Sequence, residues 1–367
     1  MENNTNVNNL HLLTQFKMNE LEQMENFVQS RGGLVRFDDY MHEHNFGPGG
    51  FYSSRVNIGH DGHFRTKTLI SGFSHLIYLA VKEMGLDSLP FVEIGGGNGA
   101  FKEGHKLYHP GKYVSIDASP RLTLQQKNHG GYSITADARD LPLSDDDRVV
   151  FSNELLDELP VRIFRLRRSQ GQPYVSEEAN IDSNLDLTYL PVEEDEFTTQ
   201  YNEYLRQRKP KTRPNTVVSV SPDTQKVIQE MARIAGDGAV VIIDYGYKRN
   251  SLPYFEQKKR ELPFFREDTK IKDLDEILRR PYQVDFTYNV DFQFVEWIAE
   301  RLGLQFRIKY QHDFFYRLLI EHELGGEPYE PLILECNLLA AIIQPWLLYL
   351  VLFLKNVLIK KEKNKFT

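Results

Sequence analysis

Between about Leu89 and Asp157 the chain alternates short apolar runs with turns and amphipathic stretches. FVEIG (Phe91–Gly95), YVSID (Tyr113–Asp117), YSITAD (Tyr132–Asp137) and RVVFSN (Arg148–Asn153) are β-rich runs of five or six residues. About 15 to 25 residues separate them, the spacing of β-α-β units and a parallel sheet. A fifth run, AVVIIDYG (Ala239–Gly246), is apolar almost throughout, as a strand covered on both faces must be. About ninety residues lie between the fourth and fifth runs. They hold an antiparallel excursion (Arg162–Ala179), an acidic loop (Val192–Glu196), a basic loop (Arg206–Pro214) and a helix over about Asp223–Ala235. This stretch reads as an insertion rather than a linker. Helices are also expected over about Met18–Ser30 and Asp291–Leu302, and the runs FRIKY (Phe306–Tyr310) and FFYRLLI (Phe314–Ile320) would close the sheet.

The chain has 367 residues, which suggests about two domains, or one with a large insertion. Lys and Arg number 44 against 52 Asp and Glu, a net charge of −8, which argues against a nucleic-acid partner. A single cysteine, Cys336, excludes an intrachain disulfide framework and a cysteine-based zinc site, and a reducing compartment is the default. The first thirty residues are acidic and Asn-rich, unlike a mitochondrial presequence, so a bacterial cytoplasm is expected, with the mitochondrial matrix as the alternative. From Cys336 to Leu354 no charge occurs, and Lys355, Lys360, Lys361, Lys363 and Lys365 follow. That run reaches the length of a membrane span, but Gln344 and Pro345 sit near its middle and the lysines would export the preceding domain. A span, interfacial docking and a buried tail all stay open.

Val92-Glu93-Ile94-Gly95-Gly96-Gly97-Asn98-Gly99 is the strongest local signal. Glycines after a strand let the backbone turn sharply and let a ligand approach the amides. An acid two residues before the first glycine, with G-x-G-x-G spacing, is the fingerprint of class I S-adenosylmethionine methyltransferases; a plain tight turn is the alternative. Asp117, ending the second run, can accept from both ribose hydroxyls, and Asp137, ending the third, fits an acceptor for the adenine amino group. Strand-end capping is the competing role for both. Ser152–Pro160 (SNELLDELP) follows the fourth run, at the carboxyl edge where ligands bind in open α/β sheets. Glu154 and Asp157 would share a face if that turn is helical, and two carboxylates can hold a guanidinium. The bland alternative is a helix start with Asn153 as its cap. His42, His44, His60 and His63, with Asp61, do not share one face, so no metal is expected; they read as solvent-facing or loop residues.

Several separated stretches resemble the MidA-like family of S-adenosylmethionine-dependent methyltransferases, which includes a mitochondrial complex I assembly methyltransferase. They are Gly50-Phe51-Tyr52, Gly59–Thr66, VEIGGGNG, Tyr113–Gln126, SNELLDELPV, IDYGY (Ile243–Tyr247) and VDFTYNVDF (Val284–Phe292). The resemblance implies a Rossmann-like class I α/β fold, a seven-stranded mostly parallel sheet with an inserted lobe. It implies methyl transfer to a protein arginine, symmetric in the mitochondrial member. By position, Glu93, Gly95, Gly97, Gly99, Asp117 and Asp137 would serve the cofactor, and Asn153, Glu154 and Asp157 the transfer site. Gly62 and Thr66 would belong to a loop covering the cofactor, with His63 replacing that loop's usual acid. Asp244, Tyr245, Asp285 and Asp291 match family positions without an assigned role.

The expected organisation is a tail and helix (1–35), a cofactor-covering segment (36–88), a methyltransferase domain (89–325) with its insertion at about 161–217, and an apolar tail (326–367). A cofactor-binding assembly protein without turnover, docking a partner subunit through the lobe, is the second functional reading. A nicotinamide oxidoreductase is the third, opposed by the glycine spacing.

Overall fold

The computed structural model describes residues 19–56, 58, 71–109, 111–210, 212–213, 215–248, 265–267, 270–272, 274–311, 313–315, 317–318 and 349–355. Gly62, Thr66, His60, Asp61, His63 and the apolar run from Cys336 to Leu348 lie outside the described residues. In chain order the strands are β1 (Leu34–Arg36), β2 (Phe91–Ile94), β3 (Tyr113–Asp117), β4 (Tyr132–Thr135), β5 (Val149–Asn153), β6 (Arg162–Ser169), β7 (Gln172–Asp182), β8 (Leu187–Pro191), β9 (Thr216–Val220) and β10 (Ala239–Tyr247). There follow β11 (Phe265–Glu267), β12 (Lys270–Lys272), β13 (Val290–Asp291), β14 (Gln305–Tyr310) and β15 (Tyr349–Lys355).

The main sheet runs β4-β3-β2-β5-β10-β15-β14, with β13 paired briefly to the end of β10. β15 pairs antiparallel with both β10 and β14. The other six strands therefore run parallel, and the expected α/β class and seven-stranded sheet are borne out. Alternation along the central strands explains why those runs are apolar throughout. Val92, Ile94, Val150, Val240 and Ile242 enter one core, with Ile228, Met231 and Trp297 from the covering helices. Phe91, Val149, Phe151, Val241 and Ile243 enter the other, with Phe73, Ile77 and Phe101. Side chains on both faces of these strands have dry neighbours, which suits Val, Ile and Phe; the acids they carry, Glu93 on β2 and Asp244 on β10, are both buried.

The segment after β5 builds a second, five-stranded sheet in which β6, β7, β8 and β9 pair antiparallel and β1 joins β7. Arg162, at the start of β6, is buried. It grips both carboxylate oxygens of Glu178 at 2.6 Å and Asp195 at 2.5 Å. Asp195 also caps the Glu196–Arg208 helix in a reciprocal box with Thr198. Arg206 and Arg208 therefore lie in that helix rather than in the surface turn expected from the run of basic residues. Tyr201 and Tyr204 on the helix pack edge-on against Phe294, and Tyr204 also against Trp297, fixing the lobe to the Phe292–Arg301 helix.

One other expectation fails at the C-terminal side. Phe314, Phe315, Arg317 and Leu318 are helical, not a strand. The strand that closes the sheet beside β14 is β15, drawn from the uncharged run that was compatible with a span. Among the described residues no helix is long and apolar enough to cross a membrane.

Candidate functional site

The glycine loop leaves β2 with Gly95, Gly97 and Gly99 at φ of 71°, 54° and 87°, a region that side chains with a Cβ rarely adopt. Gly96 answers to space instead. A Cβ there would lie 2.0 Å from Ser115 Oγ on β3. The loop is thus pressed flat on the neighbouring strand, with its backbone left as the exposed face.

Glu93 lies beneath this loop, almost fully buried, and accepts from the Tyr113 and Ser115 hydroxyls. Burial pushes its carboxyl up to about 7 in spite of those two hydrogen bonds. Asp117 ends β3 as expected. One of its oxygens accepts from the Gly97 N–H at 3.0 Å and the other from the Ser119 N–H at 2.8 Å. A carboxylate has about four lone-pair sites, so two remain for further donors. Its carboxyl is raised to about 6, again by burial against the two amide bonds.

Asp137 does not end β4, which stops at Thr135. Its carboxylate is clasped by Arg139, through Nε at 2.9 Å and the terminal nitrogen at 2.6 Å, and Arg139 also reaches Asp223 at 2.9 Å. Partial burial raises the Asp137 carboxyl, but the Arg139 hydrogen bonds outweigh it and the net shift is downward. As an adenine acceptor Asp137 would have to share oxygens that Arg139 already fills.

The N-terminal segment closes over the loop. Residues Phe51–Arg55 form one turn of π-helix, a conformation common at functional sites. Ser119 Oγ donates to the Tyr52 carbonyl at 2.6 Å, Arg121 Nε to the Val56 carbonyl at 3.1 Å and Asn98 to the Ile58 carbonyl at 3.1 Å. The Ile58 side chain lies against Gly97, 3.0 Å from where a Cβ would stand.

Three stretches far apart in sequence meet at the ends of β5 and β10. Asn153 is the last residue of β5, not a helix cap. Glu154 follows in the left-handed region at φ 54°, its N–H donating to the Ile243 carbonyl at 2.8 Å. The turn at Leu156–Glu158 is 3₁₀, so Glu154 and Asp157 do not share an α-helical face. Asp157 is buried, and Oδ2 accepts from Thr287 Oγ1 at 2.9 Å. The Tyr288 N–H donates to its carbonyl at 3.1 Å. Glu154, Glu158 and Asp285 keep partial exposure. Leu155 reaches across to Gly95, which places this turn beside the glycine loop.

Glu158 was not singled out from the sequence, yet it takes the Tyr52 hydroxyl and lies 3.4 Å from the Asn45 amide. Asn45 also exchanges two hydrogen bonds with the Phe286 backbone, both at 3.1 Å, and so ties the Phe37–Phe46 helix to the stretch that carries Asp285. Burial and then the Asp285 charge hold the Glu158 carboxyl well above its ordinary range. Burial followed by the charges of Asp244, Glu158 and Glu154 does the same for Asp157.

Of the remaining histidines, His44 is buried, with Nε2 2.7 Å from the Val284 carbonyl, and burial lowers it to about 4. His105 and His109, four residues apart, were passed over in the sequence. They pack at 5.0 Å between ring centroids at the opposite end of β2, beside Phe91. Among the described residues no group of three or more His, Cys, Asp and Glu could hold a metal ion.

The donor set fits S-adenosylmethionine. The N–H groups of Gly95, Gly96, Gly97 and Gly99 are taken by the Ile116 carbonyl, Asp117 and the Gly96 carbonyl, so the glycines allow close approach rather than supply free amides; Asp117 has lone pairs left for ribose hydroxyls, and the Ile58 segment forms a cover. Comparison with known proteins agrees. The profile of a family described as S-adenosyl-L-methionine-dependent methyltransferases matches residues 77–309. An uncharacterised ACR superfamily protein from Burkholderia thailandensis superposes with a TM-score of 0.72 at 18% identity, over 92% of each chain. A superfamily member from the same organism, bound to S-adenosyl-homocysteine, gives 0.71 at 18% identity over 92% of each chain. These likenesses show the fold. No curated protein matches the chain. With its profile match covering well over half of its length, the chain belongs to this family, the MidA-like S-adenosylmethionine-dependent methyltransferases.

Proposed function

We propose that the acceptor is a protein arginine. The observation that carries this reading is the sign of the site. Glu154 and Glu158, both partly exposed, lie on the turn whose Leu155 meets the glycine loop, the partly exposed Asp285 acts on Glu158 through its charge, and Asp157 and Asp244 are buried. Such a surface favours a cation, and a planar guanidinium can be held by two carboxylates at once. When bound, S-adenosylmethionine supplies a methyl group on a positively charged sulfur, so a guanidinium nitrogen needs alignment and loss of a proton rather than activation by a strong base. In this reading Glu154 and Glu158 orient the guanidinium, and one of them takes the proton as the nitrogen gains its methyl. The Glu158 carboxyl, raised by burial and by the Asp285 charge, suits that proton transfer, because its basicity is greater than that of a solvated acid. Asn153 at the end of β5 borders the same place. Asp157, being buried, supports the turn from within rather than touching the acceptor.

The test is methyl transfer from radiolabelled cofactor to arginine-containing peptides and to a protein extract, with acid hydrolysis to identify the methylated amino acid. Methylarginine that disappears in Glu154→Gln, with cofactor affinity kept, supports the reading. Label on lysine, a carboxylate or a small molecule refutes it. Cofactor binding with no transfer to any acceptor would leave the non-catalytic assembly reading.

A further inference from the structure

Asp244 is fully buried at the end of β10, and four backbone N–H groups point at its carboxylate. Oδ2 takes those of Leu155 at 3.2 Å, Leu156 at 2.7 Å and Asp157 at 3.4 Å, and Oδ1 takes that of Tyr245 at 2.8 Å. Asp157 lies on the turn that Asp244 caps, its own N–H among the four, and Asp244 is the neighbouring charge that acts most strongly on its carboxyl. The Asp157 Oδ2 is engaged by Thr287, and its Oδ1 is buried with no hydrogen-bond partner among the described residues, as a carboxyl oxygen turned to another carboxyl would be. We propose that Asp157 and Asp244 share a single proton, carried by Asp157, and that this acid–carboxylate pair is a positioning device that sets how Glu154 and Glu158 face the acceptor. The inference rests on the transfer site as read above; the shared proton does not depend on the acceptor being arginine, whereas the positioning role is read through a guanidinium.

The assignment of the proton follows from the donors. An array of N–H groups satisfies an ionised carboxylate and offers nothing to a carboxylic acid's hydroxyl. Asp244 is therefore the charged member. Two bare carboxylates in a dry interior would repel strongly, and a proton on Asp157 turns that contact into a donated hydrogen bond. Among the described residues, the groups facing the pair include no cation. They are Glu154 and Glu158 from the turn, Tyr52 from the N-terminal segment, and Thr287 and Tyr288 from the stretch before β13. The capping bonds in turn fix the turn's geometry. With Leu155, Leu156 and Asp157 all aimed at Asp244, Glu154 is held in its left-handed conformation on the opposite side.

The experiment is infrared spectroscopy of the full chain with carbon-13 at the aspartate side-chain carboxyls, at about pH 8, where ordinary aspartates are ionised. One isotope-shifted carboxylic-acid band is expected, and Asp157→Asn should remove it. If that variant does not fold, the wild-type spectrum still decides: absence of a protonated aspartic acid overturns the pair. Persistence of the band in folded Asp157→Asn overturns it too. The positioning role is read by titrating methylguanidine, the arginine head group, in the presence of S-adenosylhomocysteine. Asp244→Asn should weaken it about tenfold with S-adenosylhomocysteine affinity retained, whereas unchanged affinity would refute positioning. A band behaving as expected with no methylguanidine binding in the wild type would uphold the shared proton and remove the arginine reading.

Discussion

Replacing Gly96 by alanine is the sharpest test of how the cofactor loop is built. Its Cβ would stand 2.0 Å from Ser115 Oγ, 2.9 Å from Glu93 Oε2 and 3.1 Å from Gln126 Nε2. None of these atoms is a loose end. Ser115 and Gln126 are completely buried, Glu93 is nearly so, and Gln126 donates to the Gly97 carbonyl at 2.9 Å. Relief requires the loop to lift by about an ångström, and overpacking of that kind costs about 1–3 kcal/mol. Three pinned neighbours put the cost near the top, about 3 kcal/mol. Because bound cofactor needs the loop back on β3, that strain appears as about a hundredfold weaker binding. Gly97→Ala should cost less. Its Cβ meets only the flexible end of Ile58 at 3.0 Å, and the left-handed backbone penalty is about 1–2 kcal/mol, about tenfold. Removing the nearest obstacle in Gly96→Ala/Ser115→Ala should recover about tenfold of the loss. Calorimetric titration of the full chain with S-adenosylmethionine, beside thermal unfolding of each variant, gives both quantities. Gly96→Ala binding within about threefold of wild type, or more tightly than Gly97→Ala, would refute the packing argument.

Other expectations follow from single contacts. Arg162→Ala leaves Glu178 buried without its partner and should cost about 3–5 kcal/mol in urea unfolding; a loss below about 1 kcal/mol would mean the pair is not dry. Glu93 is raised from 4.5 to about 7 in the folded state, so the fold binds its proton more tightly than the unfolded chain does. Its contribution is greatest below about pH 4.5 and fades as pH rises through about 7, on the order of 3 kcal/mol at most. Glu93→Gln should flatten stability over that window, and an unchanged slope in unfolding measured across it would contradict the shift. Ile58 is buried with Phe51, Tyr52, Val56 and Leu122, so Ile58→Ala should cost about 2 kcal/mol of stability and, by stripping the cover over Gly97, also weaken cofactor binding by about 1–2 kcal/mol; a stability loss with unchanged binding would make Ile58 merely a core residue.

The parts of this structure that could be read in advance are the local ones. A strand, a glycine loop and the next strand's terminal acid lie within about twenty-five residues, and their spacing alone fixes what they form. Asp244 and Thr287 were opaque for the opposite reason. Their roles depend on β10 lying beside β5 and on the 284–290 stretch folding back onto the turn, adjacencies that no local pattern records. Asp157 was legible as an acid near the site, but its direction was not, because a 3₁₀ turn after a left-handed residue points side chains differently from an α-helix. Asp137 was misplaced by two residues, and its bond to Arg139 is a side-chain choice that strand prediction does not see. The uncharged C-terminal run shows a limit of hydropathy: length and lack of charge do not separate a span from a strand set inside a sheet.

That last strand also sets the timetable of folding. β15 lies between β10 and β14, yet it is made about a hundred residues after β10 and about forty after β14. Until it arrives, β10 has an open edge of backbone donors and acceptors along its Val240–Tyr245 stretch, and β14 has no partner in the sheet. Pairings this distant in sequence form slowly, and an uncovered apolar edge is a template for association with other chains. A nascent chain released, or a gene shortened, before Tyr349 would therefore carry every residue of the glycine loop and the acidic turn and still present a sticky, unfinished sheet. Translation past Tyr349 and an unbroken main sheet are coupled through one seven-residue strand.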